Sequence, residues 1–337
     1  MRFVFVILLM CAACATPPVA AAPAPDVGNS VTPSDIDVIT ASAIDVAADA
    51  NAGGTDGLAA GAEDGAMDAG ASASESDAGT VEAIKYPFKI ALLADPHVNR
   101  ETSGADVVFK AHFETAVAQV NAAGVNLVLI AGDLTQANGP KEFIDFKRYT
   151  QSFNAPVWFV PGNHDVGNKV AMGPTNGATQ ARTEGYEKAM GPSWFSKIYG
   201  GVRIIGVNSA IMGSGFASEG KMWQFLETEL SGPSQQPTFV LTHYPLFVQD
   251  LSEPGGIYWN VEPIPRKRLY ALLRRAGALG VLSGHLHHTL FNRLEGMLFL
   301  GAPPISFGLP EGQQPEGWVL LTLLENGQMV EKVQNLQ

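Results

Sequence analysis

Cysteine is nearly absent from this chain of 337 residues, and the two present, Cys11 and Cys14, lie at the extreme N-terminus. The remainder therefore carries neither a disulfide framework nor a thiolate metal site. Basic residues are missing from a long stretch. Between Ala15 and Ile84 there are twelve Asp or Glu and no Lys or Arg. The formal charge of −12 is thus a poor average, because from Lys85 onward 21 acidic residues face 20 basic ones. No basic stripe marks a surface for duplex nucleic acid, so a nucleic-acid duplex is not an expected partner. Long apolar runs are missing too. The run at the start, Phe3 to Met10, is too short to span a bilayer by itself.

That run follows Arg2 and precedes Cys11-Ala12-Ala13-Cys14, which together make a secretory signal peptide over residues 1–14. Ala12-Ala13-Cys14 resembles a bacterial lipoprotein cleavage site, with Cys14 as the lipidated residue. One lipid anchor there would hold the mature chain to a membrane face of the cell envelope. Cys11 stands where such sites usually carry Leu, and ordinary signal-peptidase cleavage between Ala15 and Ala24 is the alternative. From residue 15 to 84 the chain is mostly Ala, Gly, Asp, Ser and Pro. Such a stretch cannot bury enough apolar area to offset its ordering entropy and reads as a disordered acidic tether. Its Asp-x-Asp pieces lack the spacing of a calcium-binding EF-hand loop. The folded, exported part is expected over residues 85–337.

Within that part, one pattern repeats. Short apolar runs at 88–94, 127–130, 157–160, 239–242 and 280–282 read as buried strands, and each ends in polar, metal-type residues. Helical spacing predicts helices over 106–123, 141–151 and 266–275, and further strands are expected over 202–207, 318–323 and 329–333. In an open α/β sheet, ligands gather outside the carboxyl ends of the strands, so the five motifs should converge on one edge.

The motifs are Asp95-Pro96-His97, Gly132-Asp133, Gly162-Asn163-His164-Asp165, His243 and Gly284-His285-Leu286-His287. Five of the seven histidines fall in them. Setting His164 and Asp165 aside, two Asp, one Asn and four His remain, about one donor more than a single octahedral ion uses. A carboxylate shared between two ions accounts for the surplus, and paired ions roughly 3.5–4 Å apart serve in-line displacement at phosphorus. Gly132, Gly162 and Gly284 let the backbone turn sharply beside the ions. His112, inside an amphipathic helix, reads as structural, and His288 as a neighbour that binds no ion. Arg100 is either a phosphate contact or an exposed loop residue.

In this order the motifs resemble the calcineurin-like metallophosphoesterase superfamily, over about residues 88–288. The resemblance implies a four-layer α/β/β/α sandwich, with two metal ions (Mn, Fe or Zn) between the sheets. Asp95, His97 and His287 would bind the first ion, Asn163, His243 and His285 the second, and Asp133 both. It further implies that a hydroxide bridging the ions attacks the phosphorus of a phosphoester. His164 would act as the acid toward the leaving group, and Asp165 would orient it.

Two departures narrow the resemblance. Gln136 stands where purple acid phosphatases carry Tyr, and Gly132–Gly139 with Asp165 departs from the GDxxDRG and GNHE of calcineurin-type protein phosphatases. The stretch 160–168, with 260–263 and 266–269, looks like the Ser/Thr phosphatase-like branch of calcineurin-like phosphoesterase domain-containing proteins. That implies phosphomonoester hydrolysis, including phosphoprotein. Ser283 to His288 also resembles bacterial cyclic-nucleotide phosphodiesterases, so a phosphodiesterase remains the alternative. A mononuclear metal hydrolase and a non-catalytic metal-binding surface protein are further alternatives. The loops 168–177 and 249–261 are expected to line the pocket and set specificity.

Overall fold

The computed structural model describes residues 83–98, 104–310 and 312–336. The expected leader, Cys14, nearly all of the expected tether, and Arg100 lie outside the described residues. The described chain opens with a β-α-β-α-β run. It comprises β1 (Phe88–Leu93), α1 (Gly104–Ala123), β2 (Leu127–Ala131), α2 (Pro140–Thr150) and β3 (Val157–Val160). A four-residue helix α3 (Asn163–Val166) follows, then α4 (Gln180–Met190) and a hairpin of β4 (Phe195–Tyr199) and β5 (Val202–Gly206). The second alternating run is α5 (Ala217–Glu229), β6 (Thr238–Leu241), α6 (Pro263–Ala276) and β7 (Gly280–Ser283). Four strands close the chain: β8 (Leu290–Leu294), β9 (Met297–Gly301), β10 (Gly317–Leu323) and β11 (Met329–Asn335).

These strands form two mixed sheets, ordered β11-β10-β1-β2-β3 and β4-β5-β6-β7-β9-β8. The central pairs β1–β2, β2–β3, β5–β6, β6–β7 and β7–β9 are parallel, and antiparallel strands flank them. Strand alternation explains the layering. Ile90, Leu92, Leu127, Leu129, Phe239, Leu241 and Leu282 share one core cluster, which is the filling between the sheets. Their neighbours Ala91, Leu93, Val128, Ile130, Val240 and Val281 belong instead to the cluster that takes in the helices. The first helix supplies Phe113, Ala116, Val117 and Val120 to it, one face at helical spacing. Both faces of each central strand are thus buried, which is why these strands read as unbroken apolar runs. The architecture is the expected α/β/β/α sandwich.

Sequence periodicity missed α4, β4 and α5. Among the burials of α4 only Thr183 and Tyr186 are complete, β4 is an edge strand with a largely exposed surface, and α5 carries Gly220 inside it. No described helix is long and apolar enough to cross a membrane.

Candidate metal centre

Every motif leaves a strand at its carboxyl end. Asp95 and His97 follow β1, Asp133 follows β2, Asn163 opens α3 after β3, His243 follows β6, and His285 and His287 follow β7. The exit segments of β1 and β2 run side by side, with His97 N–H donating to Asp133 O at 3.0 Å and Val98 N–H to Leu134 O at 3.1 Å. Across the sheets, the Asp95 carboxylate accepts the His285 N–H at 3.0 Å.

Five of the candidate donors, Asp95, His97, Asp133, His285 and His287, have positive φ although none is glycine, with values from 45° to 72°. Only eight described non-glycine residues do so. Such backbone costs on the order of 1–3 kcal/mol per residue and persists where surrounding structure enforces it. The concentration at one pocket marks a site built for convergence of side chains. Two glycines permit that convergence: a Cβ on Gly162 would collide with the Asp133 carboxylate, and one on Gly132 (φ +81°) with the His243 ring.

Two groups of donors result. Asp95, His97, Asp133 and His287 form one, and Asp133, His243 and His285 the other, with the donor atoms of each group within 4.8 Å of one another. Asp133 is common to both. Its Oδ1 accepts the His164 N–H at 2.8 Å. Its Oδ2 lies 3.7 Å from His97 Nε2 and 3.3 Å from His243 Nε2. Asn163 joins the second group, its Oδ1 2.8 Å from His243 Nε2. His112 instead uses Nδ1 on the Ser306 carbonyl at 2.9 Å, and His288 uses its own on the adjacent Thr289 carbonyl.

The outward nitrogens of the four histidines are tied to oxygen acceptors. His97 Nδ1 donates to Gln136 Oε1 at 2.8 Å, His243 Nδ1 to Ala131 O at 2.8 Å, His287 Nδ1 to Phe307 O at 2.6 Å, and His285 Nε2 to Tyr258 O at 3.3 Å. A carbonyl oxygen cannot donate, so each ring keeps a proton on the outside and turns its other nitrogen inward. The consequence is a surplus of lone pairs. His97 Nε2 and His287 Nε2 face each other at 3.3 Å. His285 Nδ1, Asn163 Oδ1 and Asp133 Oδ2 all lie within 3.3 Å of His243 Nε2. One proton there can serve one acceptor, whereas a cation at the centre satisfies all of them. With two carboxylates buried beside them, the residues present fit a pair of metal ions.

Electrostatics agree with that fit. Burial raises Asp133, but the imidazoles of His243, His164 and His97 outweigh it and hold its carboxyl well below the usual range. Burial pushes Asp95 well up, with His243 opposing and Asp133 adding to the rise. Burial and neighbouring imidazoles keep His97 and His285 well below their ordinary values, and burial brings His287 down to about 4. Burial disfavours a charge on His243, but Asp133 and then Asp95 outweigh it and raise it to about 9.

His164 is half-buried, its ring 4.6 Å from that of His97. Its Nδ1 donates to Gln136 O at 2.7 Å, which leaves Nε2 as its available nitrogen. Asp165 does not orient this ring, contrary to expectation. It accepts from Leu134 N at 3.0 Å, Thr135 N at 3.0 Å, Thr135 Oγ1 at 2.8 Å and Gly162 N at 2.8 Å. The reason is local: neighbours on a helical turn point about 100° apart, so adjacency in sequence does not bring Asp165 to His164. Asp165 stitches the turn after β2 to the turn after β3. The orienting acceptor is the Gln136 carbonyl, and Gln136 was singled out in the sequence only as a departure from another branch.

The motifs also gave no hint of Tyr258. Its hydroxyl accepts from Asn163 Nδ2 at 3.3 Å, and its ring lies 4.7 Å from that of His285. It belongs to the expected specificity loop 249–261. Buried Lys169, from the other expected loop, holds that segment by donating to Ile257 O and Asn260 O and by pairing with Glu262 at 2.8 Å. The loops at 168–177 and 249–261 are therefore one structure around the pocket.

A two-sheet sandwich with donors for two cations at its strand ends defines a class of metal-dependent hydrolases. Residues 88–289 match the family model described as calcineurin-like phosphoesterase, and the chain belongs to that family. The serine/threonine-protein phosphatase CPPED1 of Homo sapiens is 27% identical over 202 residues, 56% of this chain and 61% of that protein. The match therefore spans less than two thirds of that relative. The 3',5'-cyclic adenosine monophosphate phosphodiesterase CpdA of Haemophilus influenzae is 30% identical over 94 residues, 27% of this chain and 34% of that protein. In fold, the chain is similar to the purple acid phosphatase PPD1 of yellow lupin (TM-score 0.52, 16% identity), covering 74% of this chain and 51% of that one. The chain is thus a phosphoesterase-family hydrolase, and its Asp/His cluster suggests a dinuclear metal site.

Proposed function

We propose that this chain is an exported, binuclear metal-dependent phosphatase acting on phosphomonoesters, including phosphoserine or phosphothreonine in protein. The observation that carries the reading is Asp133 Oδ2, shared between the His97 and His243 sides of the pocket. In this reading Asp95, His97 and His287 hold one ion, Asn163, His243 and His285 hold the other, and Asp133 holds both. The nitrogen and oxygen donors suit Mn, Fe or Zn. Two such ions supply charge stabilisation for the phosphoryl oxygens and lower the pKa of water between them.

The protein's own part is positional. Gln136 and the Ala131, Phe307 and Tyr258 carbonyls fix the imidazole tautomers. The His164 N–H anchors Asp133 Oδ1, so that Oδ2 faces inward. With both ring nitrogens protonated, His164 gives its Nε2 proton to the departing oxygen and keeps Nδ1–H on Gln136 O, ending as the neutral imidazole. The similarity to CpdA favours a second reading, hydrolysis of cyclic nucleotides or other diesters.

The test is turnover of p-nitrophenyl phosphate against its bis ester with Mn²⁺, Zn²⁺ or Fe²⁺ supplied. Faster hydrolysis of the monoester supports the phosphatase. Faster hydrolysis of the diester transfers the assignment to the second reading, and no hydrolysis of either by metal-loaded protein overturns both. Export rests on the pattern of residues 1–14, and membrane attachment on Cys14. Fractionation of cells carrying the full chain or its Cys14→Ser variant checks them: release of the variant from membranes supports the anchor, and a cytosolic wild-type chain refutes export.

A further inference from the structure

One polar hydrogen at the rim of this pocket has no protein partner. Tyr258 lies between β6 and α6, half-buried, with its hydroxyl accepting from Asn163 Nδ2. Among the described residues that is the only hydrogen bond of the hydroxyl, so its own proton remains available. The other end of the same amide, Asn163 Oδ1, is the one beside His243 Nε2. The phenol therefore stands one amide group away from the donor pocket.

The phenol is also firmly placed. Its own carbonyl accepts from His285 Nε2, and its ring packs on the His285 ring. Lys169 clamps the residues on both sides, Ile257 and Asn260. Arg266, fully buried, donates to Val261 O, Leu251 O and Glu253 O at 2.7–3.2 Å. The Glu253 carboxylate in turn accepts from Val248 N and Asn260 Nδ2. Two buried cations thus tie this loop down on either side of Tyr258. A mere prop for Asn163 needs only an acceptor, which any carbonyl provides. A hydroxyl accepts from the amide and still offers a donor.

We propose that Tyr258 is a catalytic residue of this site, its hydroxyl donating a hydrogen bond to a non-bridging oxygen of the phosphoryl group. The proposal rests on the phosphoesterase reading above. In the transition state negative charge is spread over those equatorial oxygens, so a fixed donor held beside them stabilises it. The phenol gives up no proton. The bonds made and broken are those of the hydrolysis alone, between phosphorus and water and between phosphorus and the leaving oxygen.

The test is Tyr258→Phe in the full, Mn²⁺-loaded chain, read in three ways: metal content, vanadate binding by calorimetry, and kcat and KM on p-nitrophenyl phosphate. The proposal expects unchanged metal content, vanadate binding weakened about tenfold, and kcat lowered about 10²-fold with a smaller change in KM. Unchanged vanadate binding and kcat would overturn it. So would a loss of bound metal that extra Mn²⁺ restores together with activity, because the phenol would then act only through Asn163. Should the wild-type chain hydrolyse no ester, the functional reading fails and the vanadate measurement alone decides the role of Tyr258.

Discussion

Gln136 Oε1 accepts the Nδ1–H of His97 at 2.8 Å, and this bond decides which nitrogen of His97 faces the pocket of candidate metal donors. The same residue's backbone carbonyl holds His164. One residue thus sets a candidate ligand with its side chain and a candidate acid with its main chain. Gln136→Leu removes the first function and keeps the second. The expected outcome is a 10–100-fold weaker metal affinity at one of two sites, measured by metal titration, with kcat recovering at saturating metal.

Asp165 and His164 separate structure from chemistry. Asp165→Ala would strand buried N–H groups of Leu134, Thr135 and Gly162, each worth about 1–3 kcal/mol. It should lower the melting temperature of metal-free protein as well as its activity. His164→Ala should leave melting nearly unchanged while reducing kcat about 10²–10⁴-fold. Thermal unfolding beside steady-state kinetics checks both. Equal destabilisation by the two variants would refute the division of roles.

How far the sequence disclosed these roles depended on distance along the chain. Asp95, Asp133 and His285 sit just past apolar strands, so strand placement predicted where they meet. Gln136 reaches His97 across 39 positions because the exit segments of β1 and β2 run in parallel past the sheet edge. No motif records that. Tyr258 comes from an irregular loop whose path is set by Lys169, 88 positions from Ile257. Asp165 departs from the role that the resemblance implies, because a helical turn directs it to the Leu134, Thr135 and Gly162 N–H groups and away from His164. Of the helices missed between β3 and β6, α4 fully buries only Thr183 and Tyr186, too little to show a period, and Gly220 interrupts α5.

Lys169 should matter to the pocket although it touches none of the donors. Lys169→Met removes a buried ammonium and leaves Glu262 and two carbonyls without their partner. Breaking a buried pair from one side costs about 3–5 kcal/mol. Urea unfolding should show a loss of that order, and proteolysis near 249–261 should accelerate. Unchanged cleavage there would contradict the clamp.

Acid sensitivity should trace in part to Glu219. Burial raises its carboxyl, but hydrogen bonds from Gly213 N, Trp223 Nε1, Gly215 N and Ser214 Oγ outweigh burial and lower it from 4.5. A depressed carboxyl stabilises the fold fully above its unfolded value, and that contribution is lost as pH falls through the lower, folded value. Glu219→Gln should therefore melt below wild type at pH 7, with the gap closing below pH 4.5. A gap that is constant with pH would refute the charge dependence.

The central claim is that Asp133 joins two cations in one centre. Its most direct measurement is the metal content per chain of wild type and Asp133→Ala, equilibrated with Mn²⁺ and assayed in parallel on p-nitrophenyl phosphate. The account predicts two ions and turnover in the wild type, with fewer ions and no turnover in the variant. A single ion in an active wild type, or full activity in Asp133→Ala, would contradict it.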